Sequence, residues 1–103
     1  MTKSEMAAKM QQASAWLPGK SIKLDFGPEG VIMLDGVGQH VTEEDRDADT
    51  TIKISWDDLQ KLRAGELDPM TAFMGGRLRI DGDLSNALQL QAVFSRLGRE
   101  AAS

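Results

Sequence analysis

Thr50 to Leu88 reads TTIKISWDDLQKLRAGELDPMTAFMGGRLRIDGDLSNAL, and this stretch decides the fold. Ile52 and Ile54 alternate with Thr51 and Lys53, the two-residue period of a strand. Ser55 follows as a helix N-cap, with Asp58 three residues on as in a capping box. Leu59 and Leu62 carry the apolar side of that helix, and Gly65 stops it. Asp68-Pro69 opens a second helix, the aspartate as cap and the proline at the first helical position. Met70, Phe73 and Met74 form its apolar stripe, and Gly75-Gly76 ends it. Leu78 and Ile80 then alternate with Arg77, Arg79 and Asp81 in a further strand. A last helix opens at Asp83 or Ser85. It carries Leu84, Ala87, Leu88, Leu90, Val93, Phe94 and Leu97, a stripe wide enough to pack across a sheet.

The residues before this stretch supply the other half of a sheet. Met6, Met10, Ala13 and Leu17 recur at helical spacing between Ser4 and Leu17, and Pro18-Gly19 ends that helix. Lys20 to Phe26 alternates, with Ile22, Leu24 and Phe26 to one side. Gly27-Pro28-Glu29-Gly30 is a turn. Val31 to Leu34 is apolar without a break, which predicts a strand covered on both faces. Asp35-Gly36 signals a hairpin, and Val37 to Thr42 is a weaker third strand interrupted by Gly38. The three strands read as an antiparallel meander. The acidic run Glu43 to Asp49 reads as a solvated loop. The expected fold is α+β: a five-stranded, mostly antiparallel sheet covered on one face by about four helices. A chain of 103 residues is expected to form one domain, 1–103.

Charge and composition exclude several function classes. A net charge of −4 argues against nucleic acid, whose phosphates demand clustered Lys and Arg. It argues equally against strong attraction to anionic lipid surfaces. There is no cysteine, hence no disulfide and no zinc–thiolate site. No apolar run approaches the roughly twenty residues of a membrane span. The N-terminus lacks the apolar core of a secretory signal, and the C-terminus lacks a peroxisomal or prenylation address. The expectation is a soluble cytoplasmic protein without stable membrane insertion.

Catalytic chemistry finds no foothold. The single histidine, His40, sits on the weak third strand beside the acidic loop and reads as a surface residue. No serine lies in a Gly-x-Ser-x-Gly turn. Asp57 and Asp58 sit in the first turn of a helix, where capping and the helix dipole account for them. Gly75-Gly76 follows a helix and so has the wrong polarity for an anion site. No metal, cofactor or catalytic residue is predicted. What remains is apolar surface, including six methionines, side chains that repack readily around varied ligands. From spacing alone, Met70, Phe73 and Met74 read first as plain core.

A longer pattern narrows this. The spacing Asp49-x-Thr51-Ile52-x-Ile54-Ser55-x-x-Asp58-Leu59-x-x-Leu62-x-x-Gly65-x-Leu67-Asp68-Pro69 continues through Ala72-Phe73-Met74-x-Gly76-x-Leu78-x-Ile80-x-Gly82-Asp83 to Ala87 and Leu90. It resembles the sterol carrier protein type 2 family, and with the meander the resemblance covers roughly Ser21 to Leu97. The resemblance implies a sheet and helices enclosing an apolar tunnel, and non-enzymatic binding of fatty acid, acyl-CoA, phospholipid, sterol or isoprenoid quinone. It further implies that Met70, Ala72, Phe73 and Met74 lie beside the tunnel and that Leu78 and Ile80 line its sheet side. Leu88, Leu90, Val93, Phe94 and Leu97 would close it. Within the family the chain resembles a small bacterial-type single-domain member; its first helix is shorter than in the animal carriers, and its loop before Thr50 is acidic where the family is often more mixed. The expected partner is a lipid or apolar small molecule. An alternative stays open, in which a filled core supports a homodimer or a partner enzyme.

Overall fold

The computed structural model describes residues 2–90 and Ala92. The element order is α1 (Lys3–Gln12), β1 (Ser21–Asp25), β2 (Val31–Asp35), β3 (His40–Thr42), β4 (Thr50–Ile54), α2 (Trp56–Ala64), α3 (Pro69–Met74) and β5 (Leu78–Gly82). A fourth helix, α4, is described over 84–90. One five-stranded sheet runs in the order β3-β2-β1-β4-β5. Three of its pairings are antiparallel and the central one, β1 with β4, is parallel. The expected α+β architecture holds.

Register divides the sheet into two faces. Ile22 lies opposite Leu34 and Leu24 opposite Ile32; Leu24 also lies beside Ile52, and Ile52 opposite Ile80. These side chains share one face and form the core with Met6, Ala7 and Met10 of α1, Leu59 of α2 and Ala87 and Leu90 of α4. Phe26, just past β1, meets Trp56 at the head of α2 edge to face, centroids 5.2 Å apart. The helices therefore pack on the apolar face.

Helix α1 ends five residues earlier than its periodicity suggests. Ser14 adopts φ 53°, a left-handed stop, and the Ala15 N–H returns 2.9 Å to the Met10 carbonyl. The chain then reverses, so Ala15 and Leu17 still reach the core. The third strand is also shorter than expected. Asp35 Oδ1 accepts the Val37 and Gly38 N–H groups, each at 2.9 Å, and the resulting turn takes residues 36–39 out of the sheet. β3 is an edge strand, and its Val41 N–H donates to Gln11 Oε1 of α1 at 2.7 Å. That contact covers a backbone group that would otherwise invite a foreign strand.

The acidic run is more than a solvated loop. Residues 43–49 carry the chain from β3 past β2 and β1 to β4, a crossing of roughly 14 Å at three strand spacings. They do so without a helix, over the polar face of the sheet. Asp45 pairs with Lys23 at 2.8 Å, Arg46 with Asp35 at 3.6 Å, and Asp49 Oδ2 accepts the Ser21 N–H at 2.9 Å. Met33 projects from this same face and is buried beside Arg46 and Asp47. The unbroken apolar run of β2 is thus covered on both sides, as expected, by helices on one side and by the crossover on the other.

Asp35 anchors both the turn and the crossover. The Gly38 N–H, then the Val37 N–H and the neighbouring His40 and Arg46, hold its carboxyl below the usual value against some desolvation. A carboxyl lowered on folding contributes stability above its unfolded value, near about pH 3.9, and loses it as pH falls through the folded value. Asp35→Asn keeps an acceptor oxygen but does not titrate. Urea melts of this variant are expected to depend less on pH than wild type below about pH 4. Identical acid limbs would remove Asp35 from the acid response.

Candidate functional site

The segment Ser55 to Leu90 builds its helices by paired stop and start signals. Ser55 Oγ accepts the Asp58 N–H at 3.0 Å and opens α2. Gly65 at φ 78° closes it, and the Glu66 N–H reaches the Lys61 carbonyl at 2.8 Å. Asp68 Oδ2 accepts the Thr71 N–H at 3.0 Å and opens α3. After α3 the Arg77 N–H donates to the Ala72 carbonyl at 2.9 Å, which aims the chain into β5. Asp58 and Arg77 pair at 3.3 Å and tie α2 to the start of β5. At the far end Asn86 Nδ2 donates to Thr50 Oγ1 (3.1 Å), and Thr50 Oγ1 donates to the Asp83 carbonyl (3.0 Å). Both Asn86 and Thr50 are buried, so this chain of bonds seats α4 on the sheet.

These constraints set which helix faces look inward, and here the spacing misleads. On α3 the buried residue is Ala72, with no exposed surface, whereas Met70, Phe73 and Met74 are 59%, 44% and 79% exposed. The apolar stripe is real, but it is not core as its spacing first suggests. On α4 the inward face is Asn86, Ala87 and Leu90. Leu84 and Leu88, one turn apart, are about half exposed. Leu78 and Ile80 of β5 are half-buried against the core. Leu90 is fully buried within it. Val93, Phe94 and Leu97 lie outside the described residues.

Three consecutive elements leave apolar side chains accessible. On β5 these are Leu78 and Ile80, both half-buried. The helices that enter and leave that strand, α3 and α4, expose Met70, Phe73 and Met74 from one and Leu84 and Leu88 from the other. Leu84 was not among the expected ligand-facing positions, although its four-residue spacing from Leu88 was a readable signal. Large contiguous apolar patches on a protein surface mark interaction or ligand sites. The clefts elsewhere have another character. One of about 450 Å³ runs along α2 between Asp57, Gln60, Lys61, Arg63, Ala64 and Glu66, mostly charged or polar residues. A second, of about 180 Å³, lies beneath the crossover beside Asp35 and Arg46. Among the described residues no cluster of three or more metal-ligating side chains occurs, and no helix is long and apolar enough to cross a membrane. His40 stands half-exposed on edge strand β3, 3.5 Å from Asp35.

Comparison with known proteins settles the lineage. The model of the SCP-2 sterol transfer family matches residues 4–95. The chain belongs to this family. Sterol carrier protein 2 of Bos taurus is 35% identical over 85 residues, which cover 77% of this chain and 16% of the bovine protein. The chain thus spans about a sixth of the length of the sterol carrier proteins it matches. Among solved structures, the Aedes aegypti sterol carrier protein 2 in complex with palmitate superimposes with a TM-score of 0.72 at 17% identity, covering 87% of this chain and 91% of that one. Sterol carrier protein 2 like 2 of the same organism gives 0.69 at 18% identity, covering 88% and 94%. At such identities the SCP-2 likeness in structure speaks for the fold.

Proposed function

We propose that this chain is a non-enzymatic carrier that holds a long apolar ligand against the surface built by α3, β5 and α4. A fatty acid, acyl-CoA, phospholipid, sterol or isoprenoid quinone fits that description. The carrying observation is the exposure of Met70, Phe73, Met74, Leu84 and Leu88 around the half-buried face of β5 in a member of this family. Each methylene removed from water contributes about 0.8 kcal/mol, so a long chain binds with few polar contacts. Methionine suits such a surface because it repacks without a fixed shape. Chain length would be poorly discriminated, since one methylene more or less changes affinity little. The family match and the palmitate complex of a fold neighbour support a lipid as ligand. A carrier needs no reacting group. Placement in the cytoplasm is part of the same proposal.

The double variant Phe73→Ala, Met74→Ala tests it. Both residues are exposed, so the variant should lose no more than about 1 kcal/mol of stability. Affinity for palmitate and for a fluorescent acyl probe should fall several-fold. Unchanged affinity would remove α3 from the ligand site. Failure of the wild type to bind any acyl probe, or to carry lipid visible by native mass spectrometry, would overturn the carrier function itself.

A further inference from the structure

β5 is an outer strand of the sheet, and among the described residues only β4 pairs with it. Its sequence is Leu78-Arg79-Ile80-Asp81-Gly82. Arg79 and Asp81 are exposed on the polar face, opposite in direction to Leu78 and Ile80. Across the β4 ladder Arg79 stands opposite Lys53, a like-charge pair, and Asp81 stands opposite Thr51. Neither Arg79 nor Asp81 makes an ion pair or side-chain hydrogen bond with another described residue. The other sheet edge differs, since Gln11 of α1 engages β3 there.

The order of these side chains is self-complementary. If the strand runs antiparallel to itself about residue 80, then 79 meets 81, 78 meets 82 and 80 meets 80. We propose that β5 pairs in this register with β5 of a second copy of the chain, so that each Arg79 faces the second copy's Asp81. Two opposite-charge pairs form on the polar face, and Ile80 meets Ile80 on the apolar face. Two five-stranded sheets become one sheet of ten strands. Arg79 then has an acidic neighbour on one side to offset Lys53 on the other. Met74 and Leu84, exposed on the helices joined to the two ends of β5, are the apolar side chains available to enlarge a contact that five backbone residues alone would leave small. Charged side chains on an edge strand also serve to keep strands apart, but that role places no demand on the order of signs. The pairing needs no bound lipid, although it shares Ile80, Met74 and Leu84 with the proposed ligand surface.

Sedimentation velocity on the full chain at roughly 100 μM is expected to show a dimer. Arg79→Asp sets aspartate opposite aspartate twice and should weaken the dimer by about ten- to a hundredfold. The same change places an acid opposite Lys53 within the subunit, so the thermal midpoint of the monomer should not fall. The exchange variant Arg79→Asp, Asp81→Arg restores both pairs in reversed sense and should restore the dimer. A monomeric wild type overturns the proposal and leaves the two charges as guards of the edge. A dimer indifferent to Arg79→Asp, or one that the exchange variant fails to restore, overturns it as well.

Discussion

Gly36→Ala is expected to cost about 3 kcal/mol or more, a large share of the roughly 5–15 kcal/mol that holds a small domain folded. Gly36 is buried where the chain leaves β2, pressed against the segment that joins α1 to β1. Its N–H donates to the Lys20 carbonyl at 2.8 Å, and its own carbonyl accepts the Gly19 N–H at 3.1 Å. A β-carbon there would fall on the Leu17 carbonyl oxygen and lie 2.5 Å from that of Lys20. Both obstacles are backbone, so no flexible side-chain tip can swing away. Relief requires the connector to move, which breaks the paired hydrogen bonds and draws buried Leu17 from the core. The expected result is a much lower urea midpoint with the slope unchanged. A midpoint within error of wild type would mean that the two segments are not in contact.

Leu90→Ala is expected to cost about 2–5 kcal/mol, whereas Leu88→Ala two residues away should stay within about 0.5 kcal/mol of wild type. Leu90 is fully enclosed among core side chains and Leu88 is 54% exposed. The ordering should reverse for ligand. Leu88→Ala should weaken acyl-probe binding several-fold, since Leu88 lies on the apolar surface beside Leu84. Leu90→Ala should bind nearly as wild type wherever it remains folded. Equal stability losses at the two positions would mean that α4 is rotated from the orientation set by Asn86 and Thr50.

The contrast shows where sequence stops being informative. Local signals with local causes were legible: the Ser55 and Asp68 caps, the Gly65 stop and the alternation of β1, β4 and β5. Each depends on residues within four of one another. Periodicity also showed that Met70, Phe73 and Met74 share one side of α3. It could not show that this side points away from the core, because that depends on which residue of α3 turns inward, and the buried one is the small Ala72. The inward position of Asn86 was hidden for a related reason. A polar residue is buried only where a partner awaits it, and Thr50 lies 36 residues earlier in the chain. The length of α1 was misjudged because Ser14 takes a left-handed conformation that serine seldom adopts. The family pattern drew attention to the α3–β5–α4 region from sequence, and the structure shows that Leu84 is exposed there as well.

The helixless crossover also has a kinetic consequence. Ser21 and Asp49 meet across 28 residues, and β1 cannot gain its parallel neighbour until the whole meander between them has turned back on itself. A loop of that size must close before its contacts give any return. Folding should therefore wait on the centre of the sheet, with the β1–β2 hairpin forming early and the β1–β4 seam late. The acidic residues that fasten this seam then act chiefly on the rate at which the native state comes apart, and less on the rate at which it is reached.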